Sequence, residues 1–265
     1  MTNDITFILK ATDDKSSLGR CLKSLYRQSN KNFSVIVITN LKKTEIASLI
    51  NSTEAEFIYI DKKKDFFGVA NNRIKELKSR YFMYINSDSV IPPNAVEVIL
   101  NHDEDTVVFN LSKQDKNGKF TTVYPENNKF SLSEYIRCGA SIWNNAICTE
   151  YVINEGLFLS DWAYFSQLIY LLRIYSGVRT ICIIPDVLVY RAVLITKKKI
   201  SYEQFSSNRQ LLGKILKGFT VKNMNDVKKQ IIADFVLSNI DEYYNEKRLV
   251  FRLVKKHRFR KFICM

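Results

Sequence analysis

The segment Tyr81-Phe-Met-Tyr-Ile-Asn-Ser-Asp-Ser-Val-Ile-Pro-Pro93 decides the fold prediction for this chain. It opens with five apolar residues, aromatic or β-branched except for Met83, a pattern typical of a buried strand. The polar triplet Asn86-Ser87-Asp88 then follows, and the two prolines are expected to prevent further sheet pairing. Ligands of open α/β sheets bind at the carboxyl ends of the strands. A carboxylate there can hold a divalent metal ion that in turn binds a diphosphate, although the triplet alone fits an ordinary polar turn equally well.

Three earlier strands alternate with helices in the first ninety residues. The β-branched and aromatic runs that predict these strands lie at 4–9, 33–39 and 57–60. Apolar residues at helical spacing predict helices that begin at Ser16 or Ser17, at Thr44 and, after the flexible Gly68, at Val69, the last reaching Ser79. Because this alternation favours a parallel, doubly wound arrangement, we predict an α/β fold with a mostly parallel sheet flanked by helices.

The residue pattern in the second half of the chain predicts a less regular set of helices and strands. They are a helix at 93–100, a hairpin formed by 106–111 and 120–124, an amphipathic helix from Asp161, and a late strand at 180–184 with its exit at 185–191. From about Tyr202 the pattern is helical to the end. We therefore predict an α/β domain at 1–195 and a helical, basic C-terminal extension at 196–265.

The composition favours a cytoplasmic protein. The 265 residues include five cysteines, an odd number without paired metal-type spacing, so buried free thiols in a reducing compartment are predicted. The N-terminus has no secretory signal pattern, and no apolar run approaches the roughly 20 residues that span a membrane. His102, which lies among three acids, is predicted to be a surface residue rather than a ligand.

The net charge of +13 is concentrated near the C-terminus. Residues 247–261 contain eight Lys or Arg and no acid, interleaved with aromatic and aliphatic side chains. This pattern favours contact with a membrane surface, and the alternatives are a solvated tail or nucleic-acid binding. No known RNA-binding or zinc-finger pattern supports nucleic acid, so we predict no nucleic-acid partner and a peripheral position on the inner face of the cell membrane.

Five segments, taken in order, carry a resemblance to a known family. They are Leu18-Gly-Arg-Cys-Leu-Lys-Ser-Leu-Tyr-Arg-Gln28, Gly68-Val-Ala-Asn-Asn-Arg-Ile74, Asn86-Ser-Asp-Ser-Val-Ile-Pro-Pro93, Leu159-Ser-Asp-Trp-Ala-Tyr-Phe165 and Pro185-Asp-Val-Leu-Val-Tyr-Arg191. With these segments, over about residues 4–195, the chain resembles a bacterial family 2 glycosyltransferase of the GT-A fold. The resemblance implies a hexosyltransferase-type enzyme that inverts the anomeric centre. Its donor is a nucleotide sugar, with UDP favoured, and its acceptor a hydroxyl of a surface glycan or lipid-linked molecule.

The resemblance also implies roles for particular residues. Asp88 is the predicted ligand of Mn²⁺ or Mg²⁺, Asp161 the predicted general base, and Trp162 the predicted acceptor contact. A helix cap is an equally good interpretation of Asp161 from its residue type alone, and Trp162 is as consistent with the core. The predicted nucleotide and donor contacts are Ala11, Asp13, Thr39, Asn40, Gly68, Asn72, Asn86 and Ser87. Arg73 and Lys10 are candidates for diphosphate contacts.

Three departures from the family pattern keep an alternative open. The first strand ends in Lys10-Ala-Thr-Asp13 where the family has Pro-x-Tyr-Asn, Thr39-Asn40 stand where it has paired aspartates, and Asn86 replaces the first acid of D-x-D. Amide and hydroxyl groups still form hydrogen bonds with a ribose or a base. A catalytically impaired binding or scaffold protein is therefore the alternative. A nucleotidyltransferase is disfavoured because 10–15 lacks the glycines of its phosphate-binding loop.

Overall fold

The structure is a computed structural model that describes residues 4–11, 14–61, 66–114, 118–122, 141–159 and 164–192. By its internal contacts the chain divides into two units, Met1–Ile195 and Thr196–Met265, and every described residue belongs to the first. The predicted helical extension at 196–265 lies outside the described residues and stays a prediction. Within the described part of the chain, no helix is both long enough and apolar enough to cross a membrane.

One sheet organises the described residues. Its strands are β1 (Ile5–Ala11), β2 (Phe33–Thr39), β3 (Glu56–Tyr59), β4 (Tyr81–Asn86), β5 (Ser89–Val90), β6 (Thr106–Gln114), β7 (Phe120–Thr122), β8 (Asn145–Cys148) and β9 (Ile181–Ala192). The helices are α1 (Lys15–Leu25), α2 (Ala47–Asn51), α3 (Phe66–Ile74), α4 (Ala95–Leu100), α5 (Thr149–Asn154) and α6 (Tyr164–Gly177). A 3₁₀ turn, Ile142–Asn144, precedes β8.

The strand order is β3-β2-β1-β4-β8-β6-β9-β5, and β7 pairs with β6. The first four strands are parallel, which confirms the predicted α/β arrangement. β8 runs antiparallel to both β4 and β6, and β9 is parallel to β6. β1, β2, β4, β6 and β9 therefore end at the same side of the sheet, which we call the carboxyl edge.

Sheet pairing resumes between the triplet and the prolines, in a two-residue strand that the sequence did not predict. β5 lies between the polar triplet and the prolines, where its backbone still has both N–H groups, and it pairs antiparallel with the end of β9. Only Ser87 and Asp88 separate β5 from β4 in the chain, but β9, the pairing partner of β5, lies three places from β4 in the strand order. The sheet therefore curls back on itself. This curl brings the triplet next to the last residues of β9.

Three local predictions also need correction. Helix α1 begins at Lys15 with Asp14 as its cap, because the Asp14 carboxylate accepts the backbone N–H of Ser16 at 2.9 Å. Helix α3 extends from Phe66 to Ile74, so Gly68 lies within the helix instead of preceding it. The late strand and its exit form one long strand, β9, whose register with β6 shifts opposite Val108–Leu111, close to Pro185.

The core explains why the edge is well defined. The residues Ile5–Leu9 of β1 and Tyr81–Ile85 of β4 are all buried, as expected for central strands covered on both faces. The apolar face of α1, which includes Leu18, Leu22 and Leu25, packs into the same core. Burial therefore fixes the strand ends, and the polar residues that follow them are held in place.

Candidate active site

A three-residue contact lies at the carboxyl edge, where β4 gives way to β5. The Nε of Arg191 donates to both carboxylate oxygens of Asp88, at 2.9 and 3.1 Å. Both side chains are only 20% exposed. The guanidinium carbon of Arg191 lies 4.9 Å from the ring centroid of Trp143, which is buried, and this is a cation–π arrangement. Asp88, the predicted metal ligand, is thus oriented by a residue that lies 103 positions later in the chain.

The turn that carries Asp88 is anchored to β1. The backbone N–H of Ser87 donates to the carbonyl of Lys10 at 2.9 Å, and Lys10 is also the register partner of Asn86. Among the described residues, the buried Asn86 Oδ1 has no hydrogen-bond partner, and neither does the buried Ser89 Oγ. A buried oxygen without a partner is costly unless a ligand satisfies it. Asn86 and Asp88 together therefore supply the hard oxygen donors that Mg²⁺ and Mn²⁺ prefer.

Helix α1 contacts the other side of this turn through residues of the Leu18–Gln28 segment, which we call the α1 motif. The Cys21 thiol points at the carbonyl oxygen of Asn86, 3.8 Å away, and the Ser24 hydroxyl oxygen accepts the N–H of Ile91 at 3.1 Å. Burial, followed by the charge of Asp88, raises the pKa of the Cys21 thiol, which therefore stays neutral. These two contacts hold both ends of the segment that contains the triplet.

Gln28, the last residue of that motif, is only 1% exposed. Its Nε2 donates to the carbonyl of Pro92 at 2.7 Å, and its Oε1 accepts the N–H of Val96 at 3.0 Å. One buried amide thus satisfies both a donor and an acceptor at the start of α4. The motif of α1 therefore has a physical role here, which is to fix the path of the chain immediately after Asp88.

The predicted contacts on β1 and β2 end adjacent strands. Ala11, which is buried, is the register partner of Thr39. The Thr39 side chain is fully buried, and its hydroxyl oxygen accepts the N–H of Leu41 at 3.0 Å. Asn40 follows as a half-buried residue. Of these three side chains, that of Asn40 is therefore the most accessible to a ligand. Asp13 lies outside the described residues.

Helix α3 carries two of the predicted nucleotide or donor contacts. Gly68 and Asn72 are both exposed. The neighbouring Asn71, which sequence reasoning missed, donates from Nδ2 to the carbonyl of Leu159 at 2.8 Å. Asp161 and Trp162 lie outside the described residues, so Leu159 is the described residue nearest to the predicted base. The only sequence signal for Asn71 is its position in the Gly68–Ile74 segment.

Two basic side chains lie side by side at this edge. Lys113 on β6 is the register partner of Arg191 on β9. Partial desolvation, with the Arg191 charge beside it, lowers the pKa of Lys113, although its side chain still reaches solvent. Because Asp88 already matches the charge of Arg191, it is Lys113 that adds positive charge here, and positive charge at such an edge attracts an anionic ligand. Arg73 is paired with Glu56 at 2.5 Å and with Glu76, so its charge is matched by two acids.

The role of the Arg191–Trp143 pair could not be read from local sequence. Arg191 belongs to one of the five segments that carry the resemblance, but sequence reasoning gave it no function. Trp143 is one of only two tryptophans in the chain, and that rarity was the one available signal. The separation of 103 residues between Asp88 and Arg191 explains why no local pattern predicts their contact.

This sheet carries a polar cluster at its carboxyl edge, the place where open α/β domains bind their ligands. The sequence pattern of glycosyl transferase family 2 matches residues 6–155, which is more than half of the chain. The chain belongs to glycosyltransferase family 2. The matched residues include β1 to β4, helix α1 and the Asn86-Ser87-Asp88 turn.

Two relatives from the genus Rickettsia, each named an uncharacterized glycosyltransferase, are similar to part of the chain. The protein of Rickettsia bellii (strain RML369-C) is 27% identical over 125 residues, which cover 44% of this chain and 18% of the relative. The protein of Rickettsia prowazekii (strain Madrid E) is 25% identical over 111 residues, which cover 40% of this chain and 35% of the relative. The chain thus matches well under two thirds of either relative.

Solved structures support the GT-A fold. The structure of Staphylococcus aureus TarS 1–349 in complex with UDP-GlcNAc superimposes with a TM-score of 0.68 at 13% identity, and the match covers 91% of this chain and 73% of that one. The mannosyltransferase PcManGT of Pyrobaculum calidifontis, solved with GDP-Man and Mn²⁺, gives a TM-score of 0.56 at 11% identity, covering 98% and 83%. At these identities the likeness establishes the fold alone, and it confirms the predicted architecture.

Proposed function

We propose that this domain transfers a sugar from a nucleotide sugar to an acceptor hydroxyl. The observation that carries the proposal is the arrangement of Asp88, the buried Asn86 oxygen and Arg191 at the carboxyl edge, in a chain of family 2. Lys113 beside Arg191 adds a second positive group for a diphosphate. UDP is the favoured nucleotide because TarS, which has a similar fold, is solved with UDP-GlcNAc.

A divalent ion, Mn²⁺ or Mg²⁺, fits the residues present. Asp88 and Asn86 would hold it through their oxygens, and a bound ion supplies the charge that neutralises a leaving diphosphate. Arg191 donates one N–H to the two oxygens of Asp88, and those oxygens keep further lone pairs with which an ion could bind. The other guanidinium N–H groups of Arg191 would suit diphosphate oxygens in geometry.

The proton of the acceptor hydroxyl needs a base, and Asp161 is the residue that we propose for this role. The hydrogen bond from Asn71 to the carbonyl of Leu159 fixes the chain two residues before Asp161. Direct displacement with one base inverts the anomeric centre, so we propose an inverting reaction of the hexosyltransferase type. Trp162 is proposed to contact the acceptor.

A nucleotide panel measured by calorimetry tests the proposal. We expect UDP to bind more tightly with Mn²⁺ than with EDTA, and more tightly than GDP, dTDP or CMP. UMP is the matched control because it keeps the base and ribose but lacks the diphosphate that Arg191 and the ion would bind. If UMP and UDP bind with equal affinity, the diphosphate contributes nothing to binding and the proposed diphosphate site is wrong. Tighter binding of GDP would change the donor class.

A second candidate, a scaffold protein without catalysis, is favoured by one specific observation. The Arg191–Asp88 ion pair occupies the carboxylate that an active site needs, and Asn86 lacks the charge of the usual first acid. The same panel separates the two candidates, because a scaffold of this kind binds none of the nucleotides with or without metal.

The acceptor is proposed to be a surface glycan or lipid-linked molecule at the inner face of the cell membrane. The basic and aromatic residues after 246 support this proposal, since such segments bind anionic lipid surfaces. We expect the full chain to sediment with anionic liposomes at low salt and a chain ending at residue 246 to stay in the supernatant. Neutral liposomes are the control. Equal sedimentation of both chains would count against the membrane role.

A further inference from the structure

A second cluster of potential ligands lies at the edge of the sheet opposite the candidate active site. His102 and Glu104 come from the loop between α4 and β6, and Cys182 is near the start of β9. Their ligand atoms all lie within 4.8 Å of one another. The prediction that His102 has no ligand role rested on sequence neighbours alone. The 80 residues that separate it from Cys182 conceal the cluster in the sequence.

The spacing between the sulfur and the imidazole nitrogen of the cluster matches the coordination shell of a small tetrahedral ion. The Nδ1 of His102 lies 3.4 Å from the Sγ of Cys182 and 3.6 Å from a carboxylate oxygen of Glu104. A tetrahedral Zn²⁺ with Zn–S of about 2.3 Å and Zn–N of about 2.0 Å places those two ligand atoms about 3.5 Å apart. The side chains of His102 and Glu104 are 28% and 35% exposed, so solvent reaches the cluster.

The loop that carries two of the three side chains is held before any ion binds. The hydroxyl of the buried Tyr81 donates to the carbonyl of Glu104 at 2.5 Å and lies 3.2 Å from that of His102. Burial raises the pKa of Tyr81 to about 12, so it remains a donor at neutral pH. On the β9 side, Asp105 accepts the backbone N–H groups of Arg179 and Thr180, at 2.9 and 3.2 Å.

Arginines pair with the two acids that flank Glu104 in the chain, so the Glu104 carboxylate is available to bind a cation. Of the three consecutive acids, Asp103 pairs with Arg80 at 3.0 Å and Asp105 with Arg179 at 3.7 Å. Among the described residues, no Lys or Arg pairs with Glu104, whose carboxylate lies 3.6 Å from the imidazole of His102. A thiolate, a carboxylate and a neutral imidazole together carry two negative charges, which a divalent ion neutralises.

We propose that His102 Nδ1, Glu104 and Cys182 Sγ bind one Zn²⁺, with water completing the coordination. The mixed thiolate, imidazole and carboxylate set favours Zn²⁺ over Mg²⁺ or Ca²⁺, which take oxygen ligands. The ion would tie the loop before β6 to the start of β9 and stabilise the folded domain, because it binds only the folded arrangement. The proposal does not depend on the proposed function, since the site lies at the other edge of the sheet.

Cobalt substitution of the full-length protein tests this proposal. After treatment with a chelator and its removal, we expect one equivalent of Co²⁺ to produce a thiolate-to-cobalt charge-transfer band together with the intense visible bands of a tetrahedral ion. Added Zn²⁺ should abolish both. The Cys182→Ser variant should lack the thiolate band, and Glu104→Gln should require a higher Co²⁺ concentration for the same signal.

Cys148→Ser is the matched control, because Cys148 is also a half-buried free thiol but lies outside the cluster. We expect its spectra and its melting-temperature increase with Zn²⁺ to equal those of the wild type. Absence of the band in wild type, or its persistence in Cys182→Ser, would overturn the proposal. In the first case the cluster is a sulfur–imidazole hydrogen bond and an ion pair only. Far-ultraviolet circular dichroism of each variant identifies one that has failed to fold, and for Cys182 the conservative Cys182→Ala then replaces it.

Discussion

Replacing Asp88 with asparagine is expected to lower kcat/KM for sugar transfer by about 10²- to 10³-fold, the range seen when one charge-stabilising group is removed from an active site. The substitution keeps the shape of the side chain but removes the charge that would hold the divalent ion beside Asn86. Release of the nucleoside diphosphate from the donor identified by calorimetry provides the measurement. The same variant should bind that nucleotide equally with Mn²⁺ and with EDTA.

The matched control for this substitution is Asp186→Asn. Asp186 is an exposed carboxylate in β9, the strand that also carries Arg191, so its loss removes a charge without touching the site. We expect wild-type turnover from it. If Asp88→Asn keeps wild-type turnover and wild-type dependence on Mn²⁺, the ion is held elsewhere and the assignment of Asp88 is wrong.

Replacing Gln28 with leucine is expected to lower the free energy of unfolding by about 1–3 kcal/mol, since a buried polar group left without its partner costs about that much. The variant removes the partner of the Val96 N–H in a buried place, whereas the carbonyl of Pro92 keeps the N–H of Ala95 at 3.1 Å, and the side-chain volume changes little. Urea denaturation followed by circular dichroism measures the change.

Arg27→Ala serves as the control for Gln28→Leu. Arg27 is the adjacent residue in the chain, is exposed, and should change the free energy of unfolding by no more than about 0.5 kcal/mol. A loss of under 0.5 kcal/mol in Gln28→Leu would mean that solvent or a rearranged chain satisfies the N–H of Val96. The conclusion that Gln28 fixes the path of the chain after Asp88 would then be wrong.

Short-range patterns predicted the parallel half of the sheet well. The bounds of β2, 33–39, were predicted to the residue, because a β-branched run between polar segments determines its own limits. The order of strands and helices up to Asn86 was also predicted. Helix α3 was placed too late, since Phe66 and Phe67 are core residues of the helix and not part of the preceding loop.

The candidate site was predictable only in part. Asp88, Asn86, Thr39 and Ala11 lie at the ends of neighbouring strands, as the carboxyl-edge argument expected. The partner of Asp88 was not predicted, and neither was the function of Asn71, because both depend on contacts across the fold. Asp13, Asp161 and Trp162 lie outside the described residues, and their roles stay predictions.

The sequence by itself determined the strand–helix alternation, the family and the position of the polar triplet at a strand end, because each depends on residues close together in the chain. Only the tertiary structure decided that β5 returns to pair with β9, that Arg191 holds Asp88, and that His102 meets Cys182. The physical reason is that strand pairing sets these contacts: the curl of the sheet brings β5 and Asp88 to the end of β9, and the parallel pairing of β6 with β9 brings His102 to Cys182. Such pairings join residues far apart in the chain, so no single segment encodes them.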